Sequence, residues 1–203
     1  MPRYRTRSWR AFEPGAAPAA PRLASAARLR ILGLDPGSRR TGYGLIECRG
    51  PNYVHVAHGC VVCGGGVMAL RLRVIFEAVQ LLISEHQPDE VAVERVFVKR
   101  NVDSALKLGQ ARGAALAAVP RGTEVFEYAP RAIKMSVVGF GAAEKTQIAH
   151  MMRTLLRLPA HIEPDAADAL AAAVCHAHTR RVHLLAQAAT SRRRLVPIDG
   201  SAG

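Results

Sequence analysis

The chain has 203 residues, of which 49% are apolar, and a formal net charge of +12. That length suits one domain with a core of its own. No apolar run approaches the roughly 18 residues of a membrane span, and the Arg-, Ala- and Pro-rich first thirty residues lack the apolar stretch of a secretory signal, which argues against membrane and secreted classes. The charge is unevenly placed: residues 1–30 hold seven Arg against one Glu, and residues 180–203 hold five Arg against one Asp. The stretch between is nearly balanced, so a specific nucleic-acid site must come from local clusters. Cys48, Cys60, Cys63 and Cys175 read as reduced thiols of a cytoplasmic protein. Cys60 and Cys63 form a single CxxC within a Val-rich strand pattern, which favours a buried strand over zinc.

In chain order, residues 1–28 are predicted to be a disordered basic extension, since alternating Pro and Ala with few large side chains cannot make a core. An organelle transit peptide would share that composition. Leu29–Leu34 predicts a buried strand, Gly42–Cys48 a second after an Asp-Pro-Gly turn, and Asn52–Val62 a third. Met68, Leu72, Ile75, Val79 and Leu82 recur at helical spacing over residues 67–86. "DEVAVERV" predicts a fourth strand, and Val102–Val119 a helix whose Ala105, Gly109 and Gly113 would pack closely on the sheet. "GTEVFEY" is a fifth strand. Helices are predicted from Pro130, over Ala143–Leu158 and over Pro164–His178, and residues 182–203 form a mobile basic tail. The folded domain therefore covers residues 29–181, as an α/β sandwich with a mixed five-stranded sheet flanked by helices.

Four carboxylates stand out. Asp35 closes the first strand, although Asp-Pro-Gly is turn chemistry in any protein. Glu94 interrupts an apolar strand, pointing with Ala92 and Glu90, where burial is costly unless cations or donors are near. Asp165 and Asp168 share one face at the start of the last helix, where acids also suit the helix dipole. Together they form an oxygen-rich set without Cys, which suggests Mg²⁺ or Mn²⁺ and phosphodiester hydrolysis by two ions. His161 and His176 are the histidines nearest these acids in the sequence. Phe97, Lys99, Arg100 and Asn101 follow the strand carboxylate directly, a combination suited to base stacking and phosphate contact. Lys134 and Lys145 flank the turn "GFGAAEK".

With "ILGLDPGSRRTGYGLIE", "VFVKRNVDSALKLGQARG", "VFEYAPRAIKMSVVGFGAAEKTQ" and "DAADALAAAVCHAH" in that order, the chain resembles the RuvC family of bacterial Holliday-junction resolvases, from about Arg30 to His178. The resemblance implies a ribonuclease-H-like fold, a homodimer and a need for Mg²⁺ or Mn²⁺. It implies paired nicking of four-way DNA junctions in recombination and repair, leaving 5′-phosphate ends, in cooperation with the RuvA–RuvB motor. It assigns Asp35, Glu94, Asp165 and Asp168 as catalytic metal ligands, Phe97 as an aromatic that stacks on junction bases, and Lys134 and Lys145 as lysines important for cleavage. Two other readings are compatible with the first strand and turn. An actin-like sugar kinase or ATPase opens the same way, and a junction-binding architectural protein would use the acids only as caps and ion pairs.

Overall fold

The computed structural model describes residues 28–95, 101–158 and 161–194, with side chains described as far as Ala186. The expected basic extension falls, but for Arg28, outside these residues. Three strands come first: β1 (Leu29–Asp35), β2 (Arg40–Arg49) and β3 (Asn52–Val62). They are followed by α1 (Met68–His86), β4 (Glu90–Glu94), α2 (Val102–Ala117), β5 (Glu124–Tyr128), α3 (Pro130–Val138), α4 (Lys145–Leu156) and α5 (Pro164–Arg194). The sheet order is β3-β2-β1-β4-β5. β1 pairs antiparallel with β2 and parallel with β4, so the five-stranded sheet is mixed, as expected.

Two apolar layers sandwich this sheet. Leu32, Leu34, Val91 and Val93 point to one face and pack with Ile75 and Val79 of α1 and Ala111 and Ala115 of α2. Ile31, Ile46 and Ala92 point to the other, against Ile148 and Met152 of α4 and the alanine-rich side of α5. Pro130 sits at the first turn of α3, where its missing N–H costs nothing. Glu144 starts α4 with a capping box, the Glu144 N–H donating to the Gln147 side chain at 2.8 Å.

Two expectations are corrected. The buried stripe of α2 is Ala111 and Ala115, while a methyl group added at Gly109 or Gly113 would meet nothing within 4 Å. The periodicity identified the helix, but small residues alone did not reveal which face it buries. α5 also continues to Arg194 instead of stopping near His178, so residues 182–194 are helical. Ala, Leu, Gln and Arg are good helix formers and no Gly or Pro intervenes before Pro197, so nothing in the sequence ends the helix earlier.

Candidate active site

The parallel register places Leu34 beside Val93, so Asp35 and Glu94 are the terminal residues of adjoining strands. With Leu32, Leu34, Val91 and Val93 on the α1/α2 face, strand alternation turns Asp35 and Glu94 toward α5. Glu94 lies on an interior strand. Arg95, a potential partner for it, instead pairs with Glu127 at 3.6 Å.

The strand glycines determine how near α5 can come. A Cβ on Gly33 would stand 1.9 Å from the Ala169 carbonyl oxygen, and one on Gly42 would stand 2.0 Å from that of Asp165. No other residue fits at either place, so β1 and β2 offer a bare seat for the first turns of α5. Ala166, Ala167, Ala169 and Ala173 bury the matching small side of the helix. This seat delivers Asp165 and Asp168 to the same end of the sheet as Asp35 and Glu94.

An open cavity of about 570 Å³ results, lined by Asp35, Glu94, Lys134, Lys145 and Asp168 among others. Lys145, the first residue of α4, donates to Asp168 at 2.8 Å. Asp165 faces a neighbouring cluster, accepting from Arg40 Nε at 2.9 Å beside the Cys60 thiol at 3.7 Å. Arg40 also pairs with Glu163. Burial, then the charges of Asp168, Glu94 and Asp165, push the Asp35 carboxyl up to about 7 against the partial relief of Lys145. Glu94 is raised by burial and by Asp168, with Lys145 and Lys134 pulling the other way.

Among the described residues, no three His, Cys, Asp or Glu side chains are grouped closely enough to hold an ion. The ion pairs of Asp168 with Lys145 and Asp165 with Arg40 draw those two acids to different partners. The donor set nevertheless fits a hard divalent cation. It offers carboxylate oxygens only, and the mutual repulsion that raises Asp35 is what such a cation relieves.

Other residues singled out in the sequence have different settings. Phe97, Lys99 and Arg100 lie outside the described residues. The Asn101 side chain caps α2, accepting from the Ser104 N–H at 3.1 Å. His161 is exposed just before α5. His176 stands about 12 Å along α5 from Asp168, two turns on, too far to serve the acids. It is buried between Glu90, at 2.6 Å from Nε2, and the Tyr128 hydroxyl, at 2.6 Å from Nδ1. Arg180 completes that network by donating to Glu90 at 3.0 Å. The buried-strand expectation for the CxxC pair holds only in part: Cys60 lies half-buried in β3, and Cys63 is buried against the α1/α2 layer just past the end of that strand. Arg40, Gly33 and Gly42 are the site residues that sequence reasoning missed. Glycine inside a strand was the available signal for the last two.

Residues 31–176 match the family profile "Crossover junction endodeoxyribonuclease RuvC". The chain belongs to the RuvC family. It is 54% identical to the RuvC of Shewanella pealeana over 150 residues, 73% of this chain and 87% of that protein. With the RuvC of Hahella chejuensis it shares 51% identity over 167 residues, 82% of this chain and 97% of the relative. Among solved structures, Thermus thermophilus RuvC superposes with a TM-score of 0.69 at 32% identity, covering 76% of this chain and 97% of that one. The same RuvC in complex with a Holliday junction substrate gives a TM-score of 0.71 at 31% identity, with 76% and 96% covered. The fold is thus the ribonuclease-H-like arrangement of RuvC, and membership of a nuclease family sets the kinase reading aside.

Proposed function

We propose that this RuvC-family chain is a divalent-metal-dependent endonuclease that resolves four-way DNA junctions by paired nicks, acting in the cytoplasm in recombination and repair. The observation that carries the proposal is the shared cavity: Asp35, Glu94 and Asp168 open onto it together with Lys134 and Lys145. Asp35, Glu94, Asp168 and, once released from Arg40, Asp165 would hold Mg²⁺ or Mn²⁺, two ions per site. When bound, such ions supply an activated water and charge compensation at the scissile phosphate, giving 5′-phosphate products.

The chain's own groups perform the rest. Lys134 and Lys145 line the acidic cavity with two positive charges, so a phosphate approaching the carboxylates also meets cations. Lys145 is placed to offset charge developing on the phosphate. Its own affinity for a proton is raised by the hydrogen bond to Asp168, which outweighs partial burial, so it remains charged through the neutral range. Phe97, Lys99 and Arg100, on the segment leaving Glu94, are assigned to junction bases and phosphates, with Asn101 at its end.

A homodimer would present two such cavities to the two opposed strands. Exposed apolar side chains on the outer layer support it: Leu70 and Val74 of α1, and Val102 and Leu106 of α2. RuvA–RuvB is the branch-migration partner in this reading. The test is a nicking assay comparing a four-way junction with linear duplex in Mg²⁺ without ATP. Preferential, symmetric nicking of the junction is expected, and equal cutting of both substrates would refute the resolvase assignment. Asp35→Asn and Glu94→Gln should abolish nicking while sparing junction binding. Retained nicking would leave the acids as caps and ion pairs, as in an architectural protein.

A further inference from the structure

Asp165 stands apart from the other acids of the site, and its partner there is Arg40. Arg40 opens β2, and strand alternation puts it on the same face as Gly42, the glycine on which the first turn of α5 is seated. From that position the guanidinium reaches the acids on either side of Pro164. Its Nε donates to Asp165 Oδ2 at 2.9 Å, and its Nη2 pairs with Glu163. Cys60, opposite Gly42 on β3, brings its thiol within 3.7 Å of the same Asp165 oxygen.

The cavity is lined by Asp35, Glu94 and Asp168, but by neither Asp165 nor Arg40. Asp165 is nonetheless near enough for its charge to raise the proton affinity of Asp35. An ion held by Asp35 therefore lies within the electrostatic reach of Asp165, whose charge Arg40 already compensates. A guanidinium stays charged at any working pH, so loss of a proton does not release the carboxylate. Release needs a competing cation. A divalent ion on either oxygen of Asp165 would stand beside the guanidinium and be repelled by it. The pair is open to such exchange, because Arg40 is 44% and Asp165 29% exposed. Glu163 lies outside the cavity and would keep hold of the displaced guanidinium.

We propose that Arg40 is a stand-in counter-ion for Asp165. It compensates that carboxylate in the metal-free chain, gives way before Asp165 ligates a cation, and so lowers the affinity of the ion that uses Asp165. The proposal rests on the metal-dependent nuclease reading. Arg40 is in this sense a positioning residue, acting on the reaction only through Asp165.

The experiment titrates Mn²⁺ into the chelator-stripped full chain without DNA and reads free Mn²⁺ from its electron paramagnetic resonance signal. Asp165→Asn identifies the binding step that uses Asp165. That step should tighten about tenfold in both Arg40→Gln and Arg40→Val, the effect of removing one unit charge a few ångströms from a divalent ion in water. It should change much less in Arg40→Lys, which keeps the charge. Mn²⁺ should also raise the thermal midpoint of the two neutral variants more than that of the parent. Added to Asp165→Asn, Arg40→Gln should alter the remaining Mn²⁺ binding little. Neutral variants that bind Mn²⁺ no more tightly than the parent would overturn the proposal and leave Arg40 as a structural staple of α5. A gain of equal size in the Asp165→Asn background would also overturn it, by assigning the effect to overall charge. Failure of the metal reading has a different signature: the parent would bind no more Mn²⁺ than Asp35→Asn/Asp168→Asn, and both readings would fall together.

Discussion

Replacing Asp35 by Asn should make the metal-free protein more stable while destroying its activity. In the folded chain the Asp35 carboxyl titrates near 7 because of burial and the acids around it, against an ordinary value of 3.8. The folded state therefore holds a proton that the unfolded state has released between those two values. Stability falls as pH rises through this window, and the whole penalty is present above pH 7. At about 1.36 kcal/mol per unit, the ceiling is roughly 4 kcal/mol, and proton sharing with Glu94 and Asp168 lowers it. Half of that ceiling still moves Tm by roughly 4–8 °C for a domain of this size. The assay is thermal unfolding of parent and Asp35→Asn in chelator at pH 8 and pH 4. The variant should melt several degrees higher at pH 8 and coincide with the parent at pH 4. Added Mg²⁺ should raise the parent more than the variant, because the parent has more repulsion to relieve. A variant that melts lower at pH 8, or a gain that persists at pH 4, would refute an electrostatically strained carboxylate cluster.

The remaining predictions concern the groups around that cluster. Gly33→Ala forces a methyl group into the Ala169 carbonyl, so chemical denaturation should show a loss of at least about 1–3 kcal/mol together with slower cleavage; unchanged stability would mean that α5 is not seated as described. Lys145→Gln removes a charge that lowers the proton affinity of both Asp35 and Glu94, so the acid limb of the cleavage–pH profile should move to higher pH while the rate falls about 10²-fold. A limb that stays in place would rule out that coupling. Burial raises the proton affinity of Glu90, but the hydrogen bonds and charges of His176 and Arg180 outweigh it and leave the carboxyl below its ordinary value of 4.5. Its stabilising contribution is then present above about that pH and lost as pH falls through the lower, folded value. Glu90→Gln should cost about 2 kcal/mol in urea unfolding at pH 7 and less at pH 3, and an equal cost at both would assign the loss to packing.

The acids could be read from the sequence because each interrupts a regular pattern: Asp35 and Glu94 at the ends of apolar runs, Asp165 and Asp168 one turn apart on an alanine helix. Their residue types suggested a common metal set, but which of them share a cavity depends on the parallel pairing of β1 with β4, which leaves Asp165 turned to Arg40. The face of α2 was misjudged for a related reason. Ala105, Gly109 and Gly113 could pack closely, but Ala111 and Ala115 compete for the same role, and burial went to the pair that meets α1 and the sheet. Arg40 gave no local sign, because its partners Glu163 and Asp165 lie more than 120 residues away, 125 in the case of Asp165. His176 shows the converse: it is near Asp168 in sequence, but two helical turns place it in a structural network with Glu90 and Tyr128.

The seating of α5 on Gly33 and Gly42 also bears on when the enzyme becomes able to cut. Asp35 and Glu94 are made early in synthesis, whereas Asp168 and its lysine partner follow only after the sheet-forming strands are complete. Contacts this distant in sequence form late, because the intervening loop must close before they are rewarded. A ribosome-bound chain that ends before α5 therefore carries Asp35 and Glu94 without Asp168. The cavity shared by Asp35, Glu94 and Asp168 is therefore complete only with native topology. That dependence also makes loss of the helix's docking, by heat or by a bulky side chain at either glycine, a way of silencing the enzyme without touching an acid.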